Sequence, residues 1–314
     1  MKDELNGVKN VDLPVPENKT GYDRDLARSW VERDPDARFR MLKRKIVENV
    51  HLVDFPDFRQ AVETVATRAN ETIGQSPYAV LFDYKDHASR LWVYRLAEAQ
   101  LQTKPTAETY ISGKTEPQFD FPVFKPLYDQ GVRDFVVFDD AAYSGEQIIN
   151  STIVPLLKFF EKYDKKGECR IVLAVPYVTN TFLASVRSLV DGKKLVLLYR
   201  EVMPELGEIL TPADWDLTKE REGRLDAQSQ DKTSPLAITV EEDVLTGATL
   251  TWFSHKVADS HSFPSAVRRA LKLGTTTPYK KQDTNYFRQE EQFFRTFYTE
   301  LQKRRQAYRQ GSAI

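Results

Sequence analysis

Two adjacent carboxylates, Asp139 and Asp140, follow the apolar run Phe135-Val136-Val137-Phe138 and precede Ala141-Ala142-Tyr143-Ser144-Gly145. Ionised carboxylates accept hydrogen bonds, which suits sugar hydroxyls and not phosphate. Ser144-Gly145 suits the other end of such a ligand. The Gly lets a bulky anion approach the backbone, a helix start there offers unsatisfied amides and the positive end of its dipole, and Ser144 adds a hydroxyl donor. One loop thus carries groups for both ends of a ribose 5-phosphate. The plain alternative is an incidental Asp-Asp turn, since Asp is common in turns and at helix starts.

A second group of reactive side chains lies in Leu250 to Pro264, where an aromatic strand runs into His255, Lys256, Asp259 and His261. His255 and Asp259 are candidates for a general base or for acceptor recognition; hydrogen-bonded polar groups at a strand end account for them equally well. A metal site is disfavoured because no third spaced ligand group stands out.

The elements that must position these residues follow from periodicity. A helix is expected over 57–73, with Asp57 and Gln60 as a capping box, a stripe of Phe58, Ala61, Val62, Val65 and Ala69, and Gly74 as its stop. Tyr78–Phe82 reads as a strand, Ser89–Leu101 as a helix and Ala107–Ser112 as a short strand, while Gly113–Pro126 has no clear period and reads as a connection. Four apolar residues in a row before Asp139 suit a strand buried on both faces. The helix after Gly145 should kink or stop at Pro155, although Ile148, Thr152, Leu156 and Phe160 keep one face. Strand 171–175, helix 182–190 and strand 194–199 complete an alternation that predicts an α/β fold, a parallel sheet flanked by helices with right-handed crossovers. The acidic pair then sits at a strand's carboxyl end, where open α/β sheets bind ligands.

The run from Phe135 to Gly145 resembles the signature of the type I phosphoribosyltransferases: an apolar strand, two acidic residues, a short loop, then Ser-Gly at the helix start. The element order extends the resemblance over roughly residues 76–200. It implies a phosphoribosyltransferase-like core with a variable hood and C-terminal extension. It implies that Asp139 and Asp140 hold the ribose hydroxyls of phosphoribosyl pyrophosphate, and that Ala141, Ala142, Tyr143, Ser144 and Gly145 wrap its 5-phosphate. Magnesium is the implied cofactor, carried on the pyrophosphate and sugar hydroxyls with no direct protein ligand. The loop after the first core strand would meet pyrophosphate. Here Lys85 and Arg90 can neutralise a diphosphate, and Ser89 can donate to it or cap the helix. Gly113–Phe124 occupies the place of the family's mobile covering loop. Trp215, in the expected hood, can stack on a base or pack in the core.

With 45 basic and 46 acidic residues the chain is nearly neutral, which argues against a general nucleic-acid coat. There is no cleavable apolar leader and no run long enough to span a bilayer, so a cytoplasmic protein is expected. The lone Cys169 can form no internal disulfide. Residues 1–25 read as a flexible arm, 26–200 as the core with its N-terminal helices, and 201–314 as hood and C-terminal helical extension with an exposed loop near 219–234. The segment Asn285–Arg309 reads as an amphipathic helix whose Phe287, Phe294, Phe297 and Leu301 pack inward. Its terminal cations offset the helix dipole, and Tyr286, Arg288, Arg295 and Arg305 offer a surface for a protein partner, a second copy or nucleic acid.

Three functions fit these residues. One is transfer of a phosphoribosyl group to a nitrogen acceptor with release of pyrophosphate. Another is a non-catalytic sensor of nucleotide or phosphoribosyl pyrophosphate, favoured by the Gly-free 83–90 loop and by Gln147 in place of a hydroxyl residue. The third is a partner-binding effector on the same fold.

Overall fold

The computed structural model describes Tyr22 and residues 24–83, 88–111, 121–217 and 248–253. Helices α1 (Arg24–Glu32) and α2 (Ala37–Glu48) lead into β1 (His51–Val53) and α3 (Phe55–Ile73). Helix α3 starts earlier than the expected Asp57. Asp54 is its N-cap, accepting the Asp57 amide at 2.8 Å, and Pro56 fills the first turn, where no N–H is needed. Gly74 ends the helix at φ 61°.

The remaining elements alternate. They are β2 (Tyr78–Asp83), α4 (Ala88–Ala97) with a short 3₁₀ turn after it, β3 (Ala107–Ile111), α5 (Phe121–Asp129), β4 (Asp134–Phe138), β5 (Ala141–Ala142) and α6 (Glu146–Ile148). A π turn over Ile149–Ile153 joins α6 to α7 (Val154–Tyr163), and β6 (Arg170–Ala174), β7 (Tyr177–Val178), α8 (Asn180–Asp191), β8 (Leu195–Leu198), β9 (Glu201–Val202), α9 (Leu206–Ile209) and β10 (Thr251–Phe253) follow.

The protein is α/β. Five parallel strands lie in the order β3-β2-β4-β6-β8. Alternate residues of each apolar run serve opposite faces, as strand geometry requires. Val80, Phe82, Val136, Phe138, Val172 and Ala174 face α3 and α4, whereas Ala79, Leu81, Phe135, Val137, Ile171 and Leu173 face α5, α7 and α8. The chain moves from β2 outward to β3, then crosses back to place β4 on the other side of β2. The carboxyl ends of β2 and β4 therefore flank the topological switch point, the usual ligand crevice in such sheets.

Beyond those ends, β4, β6 and β8 each resume after a break, forming a smaller parallel sheet in the order β5-β7-β9. A third cluster gathers α1, α2 and the segments around 206–217 and 248–252, with Phe39, Leu42, Ile46, Leu206 and Trp252 buried in it and Trp215 packed against it. Parallel pairing of β1 with β10 ties this cluster to the main body.

Two expectations need correction. The connection read over 113–126 is helical from Phe121, with Phe124 and Leu127 buried; Pro122 and Pro126 obscured the period, yet Pro122 falls in the first turn, where no N–H is needed, and Pro126 inside the helix forfeits a single ladder bond. The helix after Gly145 does not stop at Pro155. The π turn just before it widens the backbone, which relieves the clash a proline ring makes with the preceding turn, and Ile148, Thr152, Leu156 and Phe160 are all buried as that face requires. The 219–234 loop and the 285–309 helix lie outside the described residues, as does nearly all of the 1–25 arm. Among the described residues no helix is long and apolar enough to cross a membrane.

Candidate functional site

The loop after β4 lines a cavity of about 320 Å³ at the switch point. Asp139, Ala141, Ala142, Tyr143, Ser144 and Gly145 form one wall, Glu146, Gln147, Ile148 and Asn150 continue it along the helix start, and Arg90 reaches in from α4. All five residues expected from sequence to wrap phosphate, together with Asp139, are thus brought to one space. Asp140 is not. It is buried outside the lining, and its Oδ1 accepts the Ala141 amide at 2.8 Å.

Asp139 is held on both oxygens. Oδ1 accepts the Asp140 amide at 3.0 Å, and Oδ2 accepts from Arg90 Nε at 2.9 Å. Burial pushes the Asp139 carboxyl above the ordinary carboxylate value, the Arg90 charge pulls it back, and the neighbouring Asp140 adds to the rise. Arg90 also donates through Nη1 to Thr152 Oγ1 at 2.8 Å. The Arg90 expected to face pyrophosphate is therefore a buried guanidinium in the first turn of α4, joined to the loop after β4 and to the π turn.

The phosphate end of the loop is set by a different contact. Thr179, the N-cap of α8, donates through Oγ1 to the Tyr143 carbonyl at 2.6 Å and through its amide to the Ala142 carbonyl at 3.1 Å, while Oγ1 accepts from the Phe182 amide. With these carbonyls turned to Thr179, the loop enters the helix through Gly145 at φ 76°. Ser144 Oγ accepts the Glu146 amide at 3.4 Å, and among the described residues no protein acceptor takes the Ser144 or Gly145 amide. Two consecutive uncommitted amides beside a left-handed Gly at a helix start form an anion-binding concavity.

Of the remaining sequence candidates, Ser89 falls in the first turn of α4. Lys85, His255 and Asp259 lie outside the described residues. Sequence reasoning missed Thr179 as a partner of the loop, although a Thr directly before a helical run is an N-cap signal. It also missed Glu146 and Asn150 in the lining, for which local sequence holds no signal. Cys169 is buried, and burial together with Asp164 pushes its thiol up to about 12, so it is not a nucleophile at neutral pH.

No protein-family model matches this chain, and no curated protein sequence is similar to it. Among solved structures, the crystal structure of a hypothetical protein from Neisseria gonorrhoeae with bound ppGpp is similar over 49% of this chain and 84% of that chain, at 15% identity and a TM-score of 0.29.

Proposed function

We propose that this cavity binds phosphoribosyl pyrophosphate or a ribose 5-phosphate nucleotide, and that the protein is a phosphoribosyltransferase-like enzyme that transfers the phosphoribosyl group to a nitrogen acceptor with release of pyrophosphate. The observation that carries the reading is the pairing, on one wall of one cavity, of the Asp139 carboxylate with the Ser144 and Gly145 amides. Those are an acceptor for sugar hydroxyls and donors for phosphate, at the crevice where doubly wound sheets bind ligands.

In that chemistry Asp139 orients the ribose and does not attack it. The Ser144-Gly145 corner anchors the 5-phosphate, so C1 is presented at a fixed distance from both anchors. The donor set suits magnesium carried on the ligand. Hard cations of this size commonly keep waters and ligand phosphates in their shell. Asp139 and Glu146 would meet such an ion through water, and the ion would neutralise the leaving pyrophosphate.

A second reading, a non-catalytic sensor of the same ligands, is supported by one observation. Asp140, half of the acidic pair, is buried and is not among the residues lining the cavity.

Calorimetric titration of phosphoribosyl pyrophosphate with magnesium, and separately of nucleoside monophosphates, into the protein and its Asp139→Asn and Ser144→Ala variants tests both readings. Binding weakened in both variants, with pyrophosphate released in an acceptor screen, is the expected result for the enzyme. Binding without release under any acceptor selects the sensor. A folded protein that binds none of these ligands at millimolar concentration would refute the site.

A further inference from the structure

We infer that Arg90 is the positioning residue of this cavity: it orients the Asp139 carboxylate, and it is not an anion ligand. The inference rests on the reading that the cavity takes a ribose phosphate compound through Asp139.

The geometry separates the two partners of the ion pair. Both side chains line the cavity, but that of Arg90 is 1% exposed and that of Asp139 is 14% exposed, so the carboxylate is the more accessible of the two. Arg90 is fixed from two sides, through Nε to Asp139 Oδ2 and through Nη1 to Thr152 Oγ1, itself buried in the π turn. A planar guanidinium with two of its donors fixed has one orientation, and the carboxylate oxygen bonded to it inherits that orientation. The other oxygen is held by the Asp140 amide, so the plane of the carboxylate is set by two bonds from two elements. Sugar hydroxyls bond best to an ionised, oriented carboxylate. Burial alone would favour the protonated acid, which offers a donor where the hydroxyl needs an acceptor.

Arg90→Met removes the charge, Arg90→Lys keeps charge without the fork, and Thr152→Val removes only the second anchor at nearly constant shape. The readouts are carboxyl carbon NMR titration of Asp139, assigned by its loss in Asp139→Asn, and calorimetric affinity for a nucleoside monophosphate at pH 5.5 and pH 8. In Arg90→Met the Asp139 midpoint should rise. Affinity should fall at least tenfold at pH 5.5 and clearly less at pH 8, a pH dependence smaller in the wild type. Arg90→Lys should restore the midpoint more than the affinity, and Thr152→Val should cost affinity severalfold with the midpoint nearly unchanged. An unchanged midpoint in Arg90→Met overturns the inference; should the Met variant fail to fold, wild-type affinity in both Arg90→Lys and Thr152→Val overturns it. So does a loss of affinity equal at both pH values in a protein whose Asp139→Asn variant binds normally, because Arg90 would then contact the anion directly. The NMR titration needs no ligand, so failure of the wild type to bind sinks the cavity reading while leaving the Arg90 effect on Asp139 measured.

Discussion

A Cβ placed on Gly145 would lie 2.2 Å from Cδ2 of Phe182, a side chain fully buried at the start of α8. The turn that opens the candidate phosphate corner is thus packed directly against the helix whose cap holds the same loop. Gly145 also sits at φ 76°, a backbone region that side-chain-bearing residues rarely adopt.

Gly145→Ala should therefore destabilise the fold by about 2–5 kcal/mol, combining overpacking of roughly 1–3 kcal/mol with a left-handed backbone cost of about 1–2 kcal/mol. Chemical denaturation measures it. Phe182→Leu in the same chain should recover part of the loss by making room, leaving the backbone strain. Full recovery would show that crowding alone forbids the side chain.

Thr179→Val keeps the shape of the side chain and removes its hydroxyl. It leaves the Phe182 amide without its cap and the Tyr143 carbonyl without its donor. A loss of about 1–3 kcal/mol is expected, from a missing cap and a buried unsatisfied acceptor. Hydrogen exchange should quicken at the amide of residue 179, which bonds the Ala142 carbonyl of the loop, before it quickens in the sheet; unchanged exchange there would mean the loop holds its shape without the Thr179 hydroxyl.

Arg90→Met should cost about 3–5 kcal/mol at neutral pH, because removing one partner of a buried pair strands the other charge. Combining it with Asp139→Asn should cost much less than the sum of the single losses. A double-mutant cycle read by urea denaturation gives the coupling, and additive losses would show the pair to be energetically independent.

The acid limb of stability should carry two opposed contributions. At Asp214 burial raises the carboxyl, but bonds from Lys45 and Thr211 outweigh it and hold the group below its ordinary value of 3.8. Its stabilisation is therefore present above about 3.8 and is lost as pH falls through the depressed value. Asp139, raised in the folded state, does the reverse: its protonation favours the fold as pH drops from the raised value toward 3.8. Asp214→Asn should flatten the acid loss in a stability profile against pH, and Asp139→Asn should steepen it above pH 3.8. Parallel profiles for both variants and the wild type would contradict the assignment.

Much of the architecture was legible in the chain. The continuous apolar runs at 78–82, 135–138 and 171–175 each became a parallel strand, because burial on both faces leaves no polar alternation, and the strand expected over 194–199 formed at the sheet edge as Leu195–Leu198. The stripe beginning at Phe58 became the inner face of α3. What local pattern misjudged were the places where a side chain from elsewhere decided the outcome. Thr211 and Asp214 cap a helical stretch over 212–217 through reciprocal bonds, and Asp214 anchors it to Lys45 of α2. Trp215, open from sequence to base stacking or core packing, packs against the cluster that α2 forms with that stretch.

The acidic pair shows the division most sharply. Residue types and spacing alone determined that Asp139, Asp140 and Ser144-Gly145 stand at a strand end and helix start in an α/β fold, since strand burial and helix termini follow from neighbours in the chain. Only the tertiary structure decided that Asp139 lines the cavity bonded to Arg90 while Asp140 is buried outside the lining. The two carboxylates are equivalent as letters. They differ because Arg90 and Thr152, 49 and 13 positions away from Asp139, arrive from separate elements, and a charge is stable in an interior only where its partner already waits.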